Sequence, residues 1–294
     1  MFLFYFNKLK HKESVSFFTL VFVFCFFLLM MVVLESENRS YKISFSTNLL
    51  EREVKGMHEQ SWIFSILGIH FDGTVCSMIA LTCVIVFLFI FLCSRNMKLR
   101  PKGKQNVLEY VIDFVNNIIK DNLSEKEVPT FSLFASVLFL FILVANVLGL
   151  ATKITIGEDV SFWKSPTADP TITLTLAFIV ILLTSYVSVK RFGFKKYVRL
   201  SYMSPMPGLL PIKILEEFTN VLTLGLRLYG NIFAGEVLLT LIAQFGLLNG
   251  AMFPIAIPIE MIWQAFSIFI GAIQAFIFVT LTMVYMSHKI SEEH

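Results

Sequence analysis

Uncharged apolar runs recur along the chain at Ser14–Leu34, Val75–Ser94, Phe131–Leu150 and Thr171–Val189, and two longer, mainly apolar segments follow at Gly208–Phe245 and Phe253–Ser287. About twenty such residues in a helix cross a hydrocarbon layer of roughly 30 Å, and a helix satisfies its own backbone there. The pattern therefore predicts transmembrane helices. At 1.5 Å per residue the last segment, read as one helix, would reach about 50 Å, which calls for strong tilt or extension beyond the bilayer. The short link Gly246–Met252 makes the final two segments a helical hairpin, and Pro254 and Pro258 fall near the start of its second arm, where a missing amide donor costs least. A different period appears over Gln105–Leu123. There Val107, Leu108, Val111, Val115, Ile118 and Ile119 recur at three-four spacing opposite Glu109, Asp113, Asn116 and Lys120. That stripe predicts an amphipathic helix on the cytoplasmic membrane surface or, alternatively, one docked on a soluble partner.

The expected fold is thus an all-α polytopic membrane protein. It has about five core transmembrane helices including a long tilted C-terminal hairpin, one cytoplasmic-surface amphipathic helix, and one extra N-terminal transmembrane helix. Composition agrees: 56% of residues are hydrophobic and 15% charged, with 32 Phe and a mean hydropathy of +0.75, unlike an average soluble domain. The net charge of +3 comes from basic residues beside the spans, which suits topology and gives no footprint for nucleic acid. Arg95, Lys98, Arg100, Lys102 and Lys104 follow the second span; Lys190, Arg191, Lys195, Lys196 and Arg199 follow the Thr171 span; Lys289 follows the last. The positive-inside rule puts all three sites, and the C-terminus, in the cytoplasm. The four cysteines lie inside apolar runs without C-x-x-C spacing and read as packing residues.

The first 56 residues read as a separate extension. Ser14–Leu34 is long enough to span, Lys8, Lys10 and Lys12 would stay inside, and no small-x-small cleavage site precedes Glu35, so an uncleaved anchor is expected rather than a signal peptide. Met57 opens MHEQSWIFSILGIHF, itself a short extracytoplasmic start, so a further reading is open beside the anchor, in which residues 1–56 are an extension carrying nothing essential or reflect the choice of start site; the membrane domain is expected over 57–294.

Chemistry concentrates in Val221–Phe245, whose ionisable side chains are Arg227 and Glu236. A guanidinium at mid-membrane costs roughly 2.5–3.5 kcal/mol on insertion scales, so it marks a functional site with a partner to be found. At 100° per residue, Thr223, Arg227, Asn231 and Ala234 form one stripe, small enough for another backbone to approach, and Gly225, Gly230 and Gly235 thin the helix further. Glu236 points about 180° from Arg227 and lies about 13 Å along the axis, so the two are no intrahelical ion pair. On the last helix Glu260, Ser267 and Gln274 recur every seven residues, a polar column on an apolar helix. Packed antiparallel on the arginine helix, it is expected to hydrogen-bond Glu236 and hold water there; the blander reading is interhelical glue worth about 0.6–2 kcal/mol per bond.

The stretches LTLGLRLYGNIFAGE and WQAFSIFIGAIQAFIFVTLTMVYMSHK, with the loop WKSPTADPTITLTLA and the segment LRPKGKQNVLEYVIDF, closely resemble the a subunits of F-type ATP synthases in the form found in Gram-positive bacteria. The likeness runs from about Met57 to His294. It implies a non-catalytic stator subunit of the bacterial plasma membrane, with a rotor c-ring, the peripheral-stalk subunit b, protons, channel water and lipid as partners, and no cofactor, metal or nucleic acid. It also implies that Arg227 faces the rotor carboxylates and that Asn231, Glu236 and Gln274 line the proton path. Ser267 stands where some relatives carry histidine, so a His–Glu relay is not assumed. The outer half-channel would be lined by Glu236, Ser267 and Gln274 and entered near Asp169, unless Asp169 is a solvated turn residue beside Pro170; Glu260, on the same column, is a further candidate for proton translocation.

Two other classes explain less. A secondary ion transporter also buries charge at midplane but tends to show internal repeats, and no second half resembles 208–287. An intramembrane enzyme needs a nucleophile or metal constellation, whereas His11, His58, His70, His288 and His294 lie outside the apolar spans with no H-E-x-x-H.

Overall fold

The computed structural model describes residues 63–66, 69–95, 103–151, 155–156, 160–161, 165–202, 210–248 and 253–290. The expected anchor over 14–34 lies outside them. Among the described residues, five helices are long and apolar enough to cross a membrane, which bears out the all-α polytopic reading. The chain divides into two compact units, Met1–Leu108 with Val144–Pro166 and Glu109–Leu143 with Thr167–His294.

In the first unit, strands β1 (Ile63–Ile66) and β2 (Ile69–Asp72) pair antiparallel, Ile63 opposite Asp72 and Ile66 opposite Ile69. This hairpin, which the hydropathy pattern does not signal, leads directly into helix α1 (Gly73–Ser94). Val75, Met78, Ile79, Thr82 and Val86 of α1 are buried, at helical spacing, and Val84, Leu88, Phe91 and Leu92 are exposed. An apolar face left open on a spanning helix suits lipid, which asks for no polar partner. Thr82 hides its hydroxyl by donating to the Met78 carbonyl at 2.8 Å. A second small hairpin pairs β3 (Thr155–Ile156) with β4 (Val160–Ser161).

Helices α2 (Lys104–Asn122) and α3 (Val128–Ala151) run through both units. In the second unit follow α4 (Pro170–Phe192), α5 (Phe194–Tyr202), α6 (Leu210–Leu248) and α7 (Phe253–Ile290). Part of the α2 stripe is covered within the chain, while Val107 is exposed. Val115, Ile118 and Ile119 are buried, and the Phe114 ring lies 5.7 Å from Phe139 and 5.8 Å from Phe276.

Local sequence sets both ends of α4. Asp169 is its N-cap, accepting from the Thr171 amide at 3.0 Å, and Pro170 occupies the first turn, where no amide donor is lost. At the far end Gly193 adopts φ 81°, a left-handed conformation costly to other residues, and its N–H closes on the Val189 carbonyl at 2.8 Å. The basic run beyond it forms the nine-residue α5, which the sequence reading treats only as a cytoplasmic flank. Arg191 ties this end down by an ion pair to Glu127 at 2.7 Å.

Helices α4, α6 and α7 pack on one another and form the core of this unit. With 39 and 38 residues, α6 and α7 are each about 57 Å long, nearly twice a hydrocarbon layer. The α6–α4 contact is close because Gly225 has no side chain: a Cβ there would lie 2.8 Å from Leu174 Cδ2 and 2.9 Å from Leu174 Cα. Backbone cannot swing aside as a rotamer can. Gly225→Ala is therefore expected to destabilise the helical domain by about 1–3 kcal/mol, whereas Gly230→Ala, with nothing within 4 Å of the new Cβ, is tolerated; thermal unfolding of the detergent-solubilised chain compares the two.

Candidate functional site

Helix α6 separates into two faces as its residue sizes require. Leu224, Gly225, Leu228, Ile232 and Gly235 are buried, and Thr223, Leu226, Arg227, Asn231 and Ala234 are exposed. Gly225, two residues before Arg227, points some 200° away on an ideal helix, so the seam against Leu174 turns the guanidinium to the open side. Arg227 makes no hydrogen bond or ion pair among the described residues. A permanent cation in an apolar helix requires water or an anion, and neither Glu236 nor any other described carboxylate of this chain supplies one.

One turn further along, Asn231 Nδ2 donates to Gln274 Oε1 at 2.9 Å, joining α6 to α7. Gln274 is only 2% exposed, and its Nε2 donor is buried without a protein partner. Such a donor costs free energy unless a water or ligand meets it. Ser267, seven residues earlier on α7, is also buried, Glu260 is half-buried, and the nearby Trp263 Nε1 is a second buried donor without a partner. The column thus exists, and the bond that Gln274 makes to α6 is to Asn231. Asn231 and Glu236 lie five residues apart, about 140° around the helix, so turning one toward Gln274 turns the other away. Glu236 itself is half-buried.

Asp169 is 5% exposed and holds the start of α4. The solvated-turn alternative is therefore corrected: Asp169 caps the helix from a buried position, covered by what packs over it.

A second polar cluster joins the other end of the same three helices. Lys289 Nζ of α7 donates to Glu217 Oε1 of α6 and, at 2.6 Å, to Ser185 Oγ of α4, and Ser188 Oγ donates to the Lys289 carbonyl at 2.7 Å. The Lys289 and Glu217 side chains are 17% and 27% exposed. Sequence reasoning missed this latch, although the signal was present in Glu217, a carboxylate within a mainly apolar segment. Its neighbour Glu216 is exposed and pairs with Lys213 at 3.2 Å.

These features define a polytopic helical membrane protein whose chemistry is a mid-helix cation beside a buried polar seam. The family described as ATP synthase A chain matches residues 76–287, and the chain belongs to it. It is 63% identical over 238 residues to the ATP synthase subunit a of Enterococcus faecalis and 58% identical over 238 residues to that of Enterococcus hirae. It is 53% identical over 239 residues to that of Listeria monocytogenes; each match covers 81% of this chain and all of the relative. The protein is accordingly a multi-pass subunit of a bacterial membrane and the non-catalytic membrane channel part of an F-type ATP synthase.

Lys289→Met leaves a partly buried Glu217 carboxylate without its cation and should cost about 1–3 kcal/mol, between the values of exposed and fully buried pairs. Lys289→Met with Glu217→Gln should recover most of that loss, as thermal unfolding of the double-mutant cycle would show.

Proposed function

We propose that this subunit carries protons between the bulk phases and a rotor c-ring through two aqueous half-channels that do not meet, with Arg227 between them. The observation that carries the reading is a guanidinium, on the open face of an apolar helix, that no described residue of its own chain neutralises. A rotor carboxylate facing lipid must be protonated, because the ionised form would be desolvated; beside a fixed guanidinium the ionised form is favoured. Arg227 forces the proton off. Arginine stays charged at any working pH, so it also bars direct passage between the half-channels.

Glu236, Ser267, Gln274 and Glu260 line the outer path in this reading, with Asn231 holding Gln274 at the arginine's level and Asp169 fixing the start of α4 at the mouth. The unpartnered Gln274 Nε2 gives channel water a donor to bind. With a hydroxyl at Ser267, Glu236 and water suffice for loading. The inner path opens to the cytoplasm on the other side of Arg227, where the basic flanks and the C-terminus also lie. Each transferred charge brings about 2.3 kcal/mol per 100 mV of membrane potential, which biases rotation. The small stripe Thr223, Arg227, Asn231 and Ala234 receives the rotor helix closely, and subunit b of the peripheral stalk holds the stator still against it. All of a relative is matched within 238 residues, as many as lie from Met57 to His294, which supports reading residues 1–56 as an extension.

Arg227→Ala should abolish proton-driven ATP synthesis in membrane vesicles while the assembled complex still purifies; retained synthesis refutes the assignment. Glu236→Gln should slow proton passage without uncoupling, since it removes a relay and leaves the barrier. A leak as large as that of the arginine variant would contradict this division of roles.

A further inference from the structure

Helix α4 has an outward side that its packing leaves open. Thr173, Ala177, Val180, Thr184 and Ser188 are buried, whereas Phe178, Leu182, Tyr186 and Lys190 are exposed. Four-residue spacing makes the exposed set one row that winds slowly across the helix. Phe178 and Tyr186 stand about 12 Å apart along the axis, close to half of a roughly 30 Å hydrocarbon layer. Along the row a ring and an aliphatic chain give way to a phenol and then an ammonium, the order of polarity met on leaving a bilayer.

The corner at the end of the row is basic without local compensation. Residues 170–215 hold six Lys and Arg and no Asp or Glu. Two of these cations are engaged within the chain: Arg191 pairs with Glu127 at 2.7 Å, and Lys196 Nζ lies 5.0 Å from the centre of the Phe192 ring. Lys190, Lys195 and Arg199 are exposed and make no hydrogen bond or ion pair among the described residues. Helix α5 turns its pair outward. Tyr197 is buried, and Lys195 and Arg199, two positions to either side of it, point some 160° away on an ideal helix. The Gly193 turn sets α5 against the end of α4, with the Tyr197 amide donating to the Gly193 carbonyl at 2.9 Å. Phe194 stands exposed at the same corner.

We propose that this side of α4 seats one anionic phospholipid, its acyl chain along Phe178, Leu182 and Tyr186 and its phosphate against Lys190, Lys195 and Arg199. A positive topology signal needs the charges alone; the apolar row leading into them at the depth of one leaflet fits a molecule that carries both a chain and an anion. The guanidinium of Arg199 can take two phosphate oxygens at once, while the lysines act as point charges. A zwitterionic lipid would bring its own cation to a corner that holds no carboxylate to receive it, so the site selects net negative charge. The site requires α4 to cross the membrane and is independent of the route the protons take.

The test uses the intact ATP synthase in phosphatidylcholine vesicles doped with a trace of phosphatidylglycerol or phosphatidylcholine carrying the same photoreactive acyl chain. After irradiation, labelled peptides are quantified by mass spectrometry. The phosphatidylglycerol probe should label the stretch from Phe178 to Tyr186 about tenfold or more over the phosphatidylcholine probe, since each basic side chain near the membrane surface adds about fivefold for an anionic lipid. Lys190→Gln with Lys195→Gln and Arg199→Gln should bring the two probes to within about twofold, whereas the charge-keeping set Lys190→Arg, Lys195→Arg and Arg199→Lys should retain the preference. Arg199→Gln alone decides if the triple variant fails to assemble: it should lower the preference about fivefold. Equal labelling by both probes in the parent means a lipid-facing side that does not choose its headgroup, and overturns the proposal. So does a preference that the neutral variants leave unchanged, and so does the absence of either label from this stretch, which would mean that another subunit covers it.

Discussion

The guanidinium of Arg227 has no ion-pair partner among the described residues of its own chain, and the helix that carries it is too apolar to leave it so. Desolvating a lone charge costs several kcal/mol, and an arginine cannot escape by losing its proton. The molecule must therefore deliver this side chain to an anion or to water supplied from outside. Much of the second unit answers that requirement. Gly225 lets α6 lie against the backbone of α4 on the side away from Arg227, so the core is tightest where the charge is absent.

Rigidity matters as much as direction. Charge–charge interaction in a medium of low dielectric changes steeply with distance, so a stator that deprotonates passing acids has to hold its cation in place as they move. The α6–α7 hairpin is pinned by the side-chain hydrogen bond from Asn231 to Gln274 at the arginine's level and by the Lys289–Glu217–Ser185 latch near its far end. Two neighbouring carboxylates consequently differ in character. Glu217 is committed to the latch, whereas Glu216, on the arginine's face, is exposed beside Lys213.

Much of this was legible in the residues. Helical counting from Arg227 placed Thr223, Asn231 and Ala234 on one face, and the structure exposes all four together, because a single long helix leaves periodicity little room for error. Apolar runs located the five spans to within a few residues, since the bilayer sets their length. What pattern could not supply was pairing between helices. The polar column was read toward Glu236 without a pairing for each member, and Gln274 bonds Asn231; Lys289 was read as a topology signal and also binds a carboxylate seventy-two residues earlier. Asp169 was placed at a turn, but its burial as a helix cap depends on what packs over it. The β1–β2 hairpin and α5 were missed because both are short and lie outside the apolar runs that carried the reading.

The most direct measurement is the structure of the assembled membrane sector, read at one distance. If Arg227 governs the ionisation of rotor acids, its guanidinium will lie within about 4–6 Å of a rotor carboxylate, the range over which an opposite charge favours the ionised form. A guanidinium turned to lipid, or paired with Glu236 or Glu216 of its own chain and out of reach of the rotor, would contradict the account.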